Sequence, residues 1–157
     1  MIPKYLECTT HIGPLARAAS RISGVIWDLG AGWYSTPLLH GISDRVISFE
    51  TDPEWTDKIN EVCPDSVVLI RDWNCIWEFP KPSVAFIDCY AGGDRASCAE
   101  RLLDGGTFIV AHDTEREYWA PIFAAAKYHA TFKAMLPWTS YFSRFPFPES
   151  LGVKSEQ

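Results

Sequence analysis

Short runs of apolar residues alternate along the chain with longer segments in which apolar residues recur every three or four positions. The first pattern is typical of buried strands, and the second is typical of amphipathic helices. The strand pattern covers residues 25–27, 45–50, 66–71, 84–88 and 107–111, and then 131–136 and 139–144. The helical pattern covers residues 11–22, 36–42, 52–63 and 95–103, and resumes from residue 114. This alternation predicts an α/β fold: a Rossmann-like, doubly wound, mostly parallel seven-stranded sheet with a terminal antiparallel strand and helices on both faces.

Two of the predicted helices have clear start signals. Asp52 precedes Pro53, an arrangement in which aspartate caps the helix and proline occupies its first position. Thr114 and Glu117 have the spacing of a capping box. We therefore expect a helix that begins at Thr114 and carries His129 on its apolar face.

A glycine-rich corner follows the first predicted strand. Asp28 ends the apolar run, Gly30 and Gly32 follow, and Ser35 lies near the start of the next helix. Strand, glycine turn and helix in this order form the nucleotide-binding corner of doubly wound domains. Glu50 lies 22 residues after Asp28, at the end of the next strand, where an acid accepts hydrogen bonds from ribose hydroxyls. The corner therefore predicts an adenosine-containing ligand.

The residues after the second glycine narrow the ligand. Trp33 and Tyr34 are bulky, and Ser35 stands where dinucleotide sites have a third glycine. Less room remains for a pyrophosphate at the helix N-terminus. A ligand with adenosine but no phosphate, such as S-adenosylmethionine, suits the corner better, and an NAD-linked enzyme stays as an alternative.

Acids occur at the ends of all five strands in the alternating part of the chain. In open α/β sheets the ligand binds at the carboxyl ends of the strands, so these side chains are expected along one edge. Ordinary helix capping explains one or two of them, but explains the complete set less well. The acids are Asp28, Glu50, Asp72, Asp88 and Asp113.

Several of these motifs resemble those of a known superfamily. Asp28-Leu-Gly-Ala-Gly32, Phe49-Glu50-Thr-Asp52 and Asp72-Trp73 resemble the cofactor motifs of class I S-adenosylmethionine-dependent methyltransferases. Ile87-Asp88 and the segment 105–113 resemble small O-methyltransferase-like members. The resemblance covers roughly residues 20–145.

The resemblance implies roles for the matching positions. The corner backbone would pass beside the methionine part, with Asp28 near its ammonium or ordering the loop. Glu50 would hold the ribose, Asp72 would face the adenine amino group, and Trp73 would pack on the ring. Thr10 or His11 would reach the amino-acid end. The implied cofactor-binding set is Asp28, Gly30, Ala31, Gly32, Trp33, Ser35, Glu50, Asp72 and Trp73.

The candidates for chemistry follow strands four and five. They are Asp88, His112 and Asp113. By resemblance, Asp88 and Asp113 would bind Mg²⁺, which acidifies and aligns a substrate hydroxyl. Without a metal, His112 or Asp88 would act as general base. A third interpretation makes Asp113 a helix cap and His112 a locally bonded side chain.

Composition limits the partners. The net charge is −6, and no run of Lys or Arg supports a nucleic-acid partner. No apolar stretch has the length of a membrane span. Five scattered cysteines without a C-x-x-C motif favour reduced thiols and a cytoplasmic location. We expect a single domain over residues 1–157, with an N-terminal helix segment in 1–23 and a tail in 146–157.

Together these observations predict an S-adenosylmethionine-dependent methyltransferase that acts on oxygen of a small-molecule acceptor. No substrate domain is inserted, and no Asn/Asp-Pro-Pro-Tyr/Phe motif follows the fourth strand. The alternative is a catalytically degenerate module that binds the cofactor or a protein partner. The oligomeric state stays open, including a homo-oligomer.

Overall fold

A computed structural model of the chain describes residues 9–89 and 92–156. Its centre is a seven-stranded sheet with the strand order β3-β2-β1-β4-β5-β7-β6. The strands are β1 (Ile26–Leu29), β2 (Val46–Glu50), β3 (Val67–Leu69), β4 (Val84–Ile87), β5 (Phe108–His112), β6 (Tyr128–Phe132) and β7 (Thr139–Ser143). The α-helices are α1 (Ile12–Arg21), α2 (Ser35–Ile42), α3 (Pro53–Val62), α4 (Gly92–Asp104) and α5 (Ala120–Ala125). Short 3₁₀ helices cover Trp73–Glu78, Glu117–Trp119 and Glu149–Leu151.

The sheet lies between two apolar layers because its central strands are buried on both faces. Along β4, Val84 and Phe86 pack into one layer, while Ala85 and Ile87 pack into the other. This is the two-residue period of a strand. The first layer includes Leu15 of α1, and the second is covered by α4 and α5.

Five strands run parallel, and the last pairings are antiparallel. Each strand in the order β3-β2-β1-β4-β5 pairs in parallel with the strand next to it. β7 inserts between β5 and β6 and runs antiparallel to both. The predicted fold class is therefore confirmed: the sheet is mostly parallel, and its one reversed strand lies inside the sheet rather than at its edge.

The predicted start of α3 is confirmed in detail. The Asp52 carboxylate accepts hydrogen bonds from the backbone N–H of Glu54 at 2.9 Å and of Trp55 at 3.1 Å, and Pro53 occupies the first turn. Residues 74–82, for which the sequence predicts a loop or a broken helix, overlap a 3₁₀ helix over Trp73–Glu78. Part of the N-terminal helix segment expected over 1–23, namely residues 1–8, lies outside the described residues.

The helix predicted from Thr114 is wrong. The Thr114 hydroxyl bonds to Ser140 of β7 at 2.8 Å, and its backbone N–H donates to Trp138. These contacts hold residues 113–116 in a turn, so the α-helix begins only at Ala120. His129 accordingly belongs to β6, and that strand begins three residues before the predicted position 131.

The C-terminal tail is ordered against the sheet. Leu151 is 1 % exposed and packs with the α1 layer. Glu156 forms an antiparallel bridge with His129 on the outer side of β6. The four cysteines in the described part of the chain, Cys63, Cys75, Cys89 and Cys98, are free thiols. Within the same residues, no helix combines the length and apolar character that crossing a membrane requires.

Candidate active site

A cleft of about 440 Å³ opens where β1, β2 and β4 end. In a parallel sheet of this kind, that edge is where ligands bind. Its walls come from the glycine corner, the end of β2 with the start of α3, and the chain just after β4. The lining residues are Gly30, Ala31, Gly32, Glu50, Thr51, Asp52, Trp55, Asp88 and Arg95.

The first glycine of the corner is required by a close approach of two chain segments. Gly30 has φ of +95°, and a Cβ there would lie 2.6 Å from the backbone N and Cα of Cys89. Both the dihedral angle and the contact exclude a side chain. Glycine in such a corner lets the backbone approach a ligand closely. The structure adds that the end of β1 crosses the chain leaving β4 at contact distance.

Asp28 stabilises the corner from below. Its Oδ2 accepts a hydrogen bond from the Thr36 hydroxyl at 2.6 Å, and that hydroxyl accepts one from the Gly32 N–H at 3.0 Å. Asp28 is fully buried, and among the described residues its Oδ1 has no hydrogen-bond partner. Burial raises the pKa of Asp28 to about 7, although the Thr36 and Ser48 hydroxyls favour the charged form. Through these contacts Asp28 holds the loop in shape, and its expected place near a ligand ammonium stays a prediction.

Glu50 is held in a fixed orientation at the end of β2. Its Oε1 accepts hydrogen bonds from the Thr51 N–H at 2.6 Å and the Asp52 N–H at 3.1 Å. The residue is only 8 % exposed, yet it lines the cleft. A buried carboxylate that is oriented by the backbone is a ready acceptor for ligand hydroxyls.

Aromatic side chains form the outer wall. The indole N–H of Trp55 donates to the carbonyl of Ala31 at 2.6 Å, which ties α3 to the corner. Trp33 lies edge-on to Trp55, with ring centres 5.7 Å apart. Trp33 and Tyr34 are about two-fifths exposed, at 42 % and 44 %, whereas Ser35 is buried. Trp33 therefore lies beside the lining residue Trp55, and Ser35 packs beneath the corner.

Asp72 and Trp73 line a different cleft from Glu50. That second cleft, of about 290 Å³, also contains Trp77, Asp94 and Arg101. The Asp72 carboxylate caps the following 3₁₀ helix by accepting from the Asn74 N–H at 2.9 Å. This bond is the largest cause that lowers its pKa, followed by the hydrogen bond from Arg71. The adenine role proposed for these residues thus requires a ligand that extends from one cleft to the next.

Arg95 is the main site residue that the sequence analysis missed. Its guanidinium is 3.0 Å from Asp88 Oδ1 and 2.7 Å from Asp113 Oδ2. It also donates to the backbone carbonyls of Asp88 and Cys89. Burial lowers the pKa of Arg95, but the adjacent charge of Asp88 and the hydrogen bond to Asp113 raise it above its ordinary value.

This guanidinium changes the interpretation of the two acids. It occupies the space between Asp88 and Asp113, where the resemblance implied Mg²⁺. Because one charged group already compensates both carboxylates, the geometry gives no support to a magnesium ion on this pair. A sequence signal existed: Arg95 lies four residues before Ala99 and seven before Leu102, on the buried face of α4.

His112 meets a second histidine. Its Nδ1 is 3.3 Å from Asp88 Oδ2, and its Nε2 is 3.0 Å from the Thr10 hydroxyl. The His11 ring lies edge-on to it, with centres 4.8 Å apart. His11 is 4 % exposed, and burial, followed by the charge of His112, lowers its pKa to about 4. Thr10 and His11 were expected at the amino-acid end of a ligand, and they lie next to His112.

Asp113 and Cys89 complete the surroundings. Asp113 has φ of +57°, a left-handed conformation that aspartate tolerates better than most residues, and its carboxylate turns towards Arg95. Cys89 is fully buried, and burial raises the pKa of its thiol well above the usual range. A nucleophilic thiolate is therefore disfavoured at Cys89.

Comparison with known proteins places the fold. No protein-family profile matches the sequence, and no curated protein sequence matches it. A methyltransferase-like protein from Silicibacter pomeroyi is 17 % identical with a TM-score of 0.62, and the match covers 97 % of this chain and 92 % of that one. An rRNA methylase from Streptococcus thermophilus is 14 % identical with a TM-score of 0.59, covering 91 % and 98 %. The C-terminal domain of precorrin-6Y C5,15-methyltransferase from Rhodobacter capsulatus is 18 % identical with a TM-score of 0.59, covering 90 % and 88 %.

These likenesses define the class of fold. Over about nine-tenths of its length or more, this chain shares the backbone fold of these solved structures. At identities below one-fifth, the likeness concerns the backbone. The names of the neighbours also differ in substrate, an rRNA in one and a precorrin in another.

Proposed function

We propose that the protein is an S-adenosylmethionine-dependent methyltransferase. The observation that carries the proposal is the cleft at the ends of β1, β2 and β4, in which a backbone-oriented Glu50 faces the glycine corner. When bound, S-adenosylmethionine supplies an electrophilic methyl group on a sulfonium sulfur. The residues present fit this ligand, because the cleft offers an oriented carboxylate for hydroxyls and side-chain-free backbone for a close approach.

The protein residues would hold the cofactor in three ways. Glu50 accepts hydrogen bonds from the ribose hydroxyls, with its Oε1 kept in place by two backbone N–H groups. The Gly30–Gly32 backbone borders the methionine part, and the buried pair of Asp28 and Thr36 keeps that backbone in shape. Asp72 and Trp73 would receive the adenine in the adjoining cleft.

We further propose oxygen of a small molecule as the methyl acceptor. Asp88 lies both in the cleft and 3.3 Å from His112 Nδ1, so a carboxylate and an imidazole are available to accept a hydroxyl proton. The residues after β4 begin Asp88-Cys89-Tyr90 and lack the Asn/Asp-Pro-Pro-Tyr/Phe sequence of enzymes that methylate amino groups. The net charge of −6 favours neither RNA nor DNA as the acceptor.

A second function is favoured by one observation. Arg95 binds both Asp88 and Asp113, which neutralises two of the acids expected to do chemistry. This arrangement suits a catalytically degenerate module that keeps the cofactor cleft and binds a protein partner. Turnover separates the two proposals. A degenerate module binds S-adenosylmethionine but produces no S-adenosylhomocysteine with any hydroxylated acceptor tested.

Calorimetric titration with S-adenosylmethionine tests the first proposal. Wild-type protein should bind one equivalent, and Glu50→Ala should bind about 5–150-fold more weakly, which corresponds to a loss of about 1–3 kcal/mol. NAD⁺ titrated in parallel distinguishes the dinucleotide alternative. Absence of S-adenosylmethionine binding below millimolar concentration contradicts the proposal.

The matched control is Glu61→Ala. Glu61 is an exposed acid in the last turn of α3, outside the cleft. Glu61→Ala removes one negative charge, as Glu50→Ala does, so this variant should bind S-adenosylmethionine with wild-type affinity. Thermal denaturation of both variants shows whether a loss of binding at Glu50 reflects the ligand contact or the stability of the fold.

A further inference from the structure

Three metal-ligating side chains from distant parts of the sequence meet beside the cleft. His11, Asp88 and His112 each place one ligand atom so that all three lie within 4.8 Å of one another. Both histidines are almost fully buried: His11 is 4 % exposed and His112 is 5 % exposed. Among the described residues, neither nitrogen of His11 makes a hydrogen bond, and Nδ1 of His112 makes none beyond its 3.3 Å contact with Asp88 Oδ2. Buried polar nitrogens without partners are rare, and they require an explanation.

The tautomer of His112 follows from its neighbour Thr10. The Thr10 hydroxyl donates its only proton to the carbonyl of Pro137 at 2.8 Å. Thr10 must therefore accept from Nε2–H of His112, which lies 3.0 Å away. In the neutral ring this leaves the lone pair on Nδ1. That lone pair then lies 3.3 Å from Asp88 Oδ2, so two electron-pair donors converge on the same point.

The spacing of these two donors matches that of two ligands on one cation. A tetrahedral ion with bonds of about 2.0–2.1 Å holds its ligand atoms about 3.3 Å apart. Nδ1 of His112 and Oδ2 of Asp88 are already at this separation. The other oxygen of Asp88 is held by Arg95, which orients the carboxylate. The Thr10 contact orients His112 in the way that outer hydrogen bonds orient metal-ligating histidines.

We propose that His11, Asp88 and His112 form a binding site for a divalent transition-metal ion. Two imidazoles and one carboxylate suit Zn²⁺ or Fe²⁺, and they do not suit Mg²⁺, which takes oxygen ligands. This ligand set differs from the pair of Asp88 and Asp113 that the sequence suggested. Asp113 instead pairs with Arg95, and its negative charge reduces the repulsion between the guanidinium and the ion.

The site has a consequence for the reaction that depends on the function proposed above. Three protein ligands leave a coordination position for water or a substrate oxygen. Of the three ligands, Asp88 lines the cofactor cleft, so an oxygen bound beside Asp88 would lie near the cleft. An oxygen bound there would lose its proton more readily, which prepares a hydroxyl to accept a methyl group.

Metal binding is tested on tag-free, chelator-treated protein without S-adenosylmethionine, so its outcome is independent of the cofactor. Calorimetry with Zn²⁺ should give one equivalent per chain. Co²⁺ should give the intense visible absorption of a tetrahedral site. At a Zn²⁺ concentration of about 100 times Kd, the Tm should rise by about 5–10 °C.

Three variants locate the ion. His11→Phe keeps a ring against Phe86 and removes both nitrogens, and it should weaken Zn²⁺ binding by more than about 100-fold. Asp88→Asn should do the same. Thr10→Val changes no ligand, but removes the group that orients His112, so it should weaken binding by about 10–100-fold and alter the Co²⁺ spectrum.

The matched control is His129→Phe. His129 lies in β6, outside the cluster of His11, Asp88 and His112, and packs edge-on to Phe123. Its replacement by Phe should therefore leave the affinity for Zn²⁺ unchanged. Wild-type protein that binds neither Zn²⁺ nor Co²⁺ below millimolar concentration overturns the proposal. Equal affinities in wild type and Asp88→Asn also overturn it, and this comparison stands even if His11→Phe fails to fold.

Discussion

The two sides of the cleft are constructed in different ways. The glycine side consists of Gly30–Gly32, Glu50 and Trp55, and its hydrogen bonds join residues no more than 24 positions apart, although Gly30 also approaches the backbone of Cys89. The charged side consists of Asp88, Arg95, His112 and Asp113, together with Thr10, which lies 102 positions from the His112 to which it bonds. The glycine side depends on backbone shape, and the charged side depends on the mutual compensation of buried charges.

This difference implies that the two sides fail in different ways. A change on the glycine side should distort a turn while leaving charges balanced. A change on the charged side should leave the backbone path intact and expose an unbalanced charge to a poorly hydrated environment, which is costly. The following substitutions test that contrast, in order of the effect expected.

Loss of Arg95 should have the largest effect. Arg95→Met leaves Asp88 and Asp113 without their shared cation, and we expect the free energy of unfolding to fall by about 2–4 kcal/mol. The value lies towards the low end for buried pairs because the two carboxylates remain about one-quarter exposed, at 27 % and 24 %. Urea denaturation at neutral pH measures the loss.

The control for this variant is Arg144→Met. Arg144 pairs with Asp104, but both side chains are well exposed, at 46 % and 61 %. Such pairs contribute little, so the loss should stay below about 1 kcal/mol. Equal effects of the two substitutions would show that the charged side does not depend on compensation.

Gly30→Ala should rank second. The methyl group would meet the backbone of Cys89 at 2.6 Å and force alanine into a left-handed conformation. Strain and crowding together should lower the free energy of unfolding by about 2–3 kcal/mol and weaken cofactor binding, since the corner must move. Urea denaturation and calorimetry report the two effects.

Gly41→Ala provides the matched substitution. Gly41 lies in α2, and a Cβ added there would meet no neighbouring heavy atom within 4 Å, so alanine should stabilise the helix by up to about 1 kcal/mol. Opposite signs at the two positions support a steric requirement at the corner. A destabilisation at Gly41 as large as at Gly30 would remove that interpretation.

Asp28 connects the glycine side to pH. Its folded-state pKa of about 7 lies above the ordinary value of 3.8, so between these values the folded protein holds a proton that the unfolded chain has lost. Stability from this group is complete below about pH 4, decreases as pH rises to about 7, and then levels off, with a limiting slope of about 1.4 kcal/mol per pH unit.

Asp28→Asn should flatten this profile. Asparagine keeps an oxygen for the Thr36 hydroxyl and cannot ionise, so urea midpoints of the variant should change less than those of wild type between pH 4 and 7. The two profiles should run parallel above about pH 8. Profiles that run parallel across the whole range would contradict the burial of a protonated Asp28.

The contrast between the two sides also explains what the sequence could predict. The glycine pattern after β1, the acid at Glu50 and the cap at Asp52 are readable from neighbouring positions, although the contact that requires Gly30 is with the distant Cys89. Arg95 gave only the weak signal of a cation on a buried helix face. Its pairing with Asp113 depends on how α4 packs against β5, which local periodicity does not encode.

The errors after β5 have the same origin. Thr114 and Glu117 have a valid capping-box spacing, but Thr114 bonds across the sheet to Ser140 and the helix begins later. Tertiary contacts prevailed over a local signal there. The meeting of His11 with His112 likewise depends on the path of the chain before α1, and no spacing rule in the sequence predicts it.

The bridge between Glu156 and His129 affects how the sheet meets other molecules. An open sheet has two outer strands whose unpaired backbone groups can recruit a strand from another chain, and natural proteins block them. Here one outer strand, β3, is only three residues long, and the other, β6, is partly covered by the tail through paired hydrogen bonds of 2.7 and 3.1 Å. The C-terminal segment therefore protects the protein against edge-to-edge aggregation, in addition to burying Leu151.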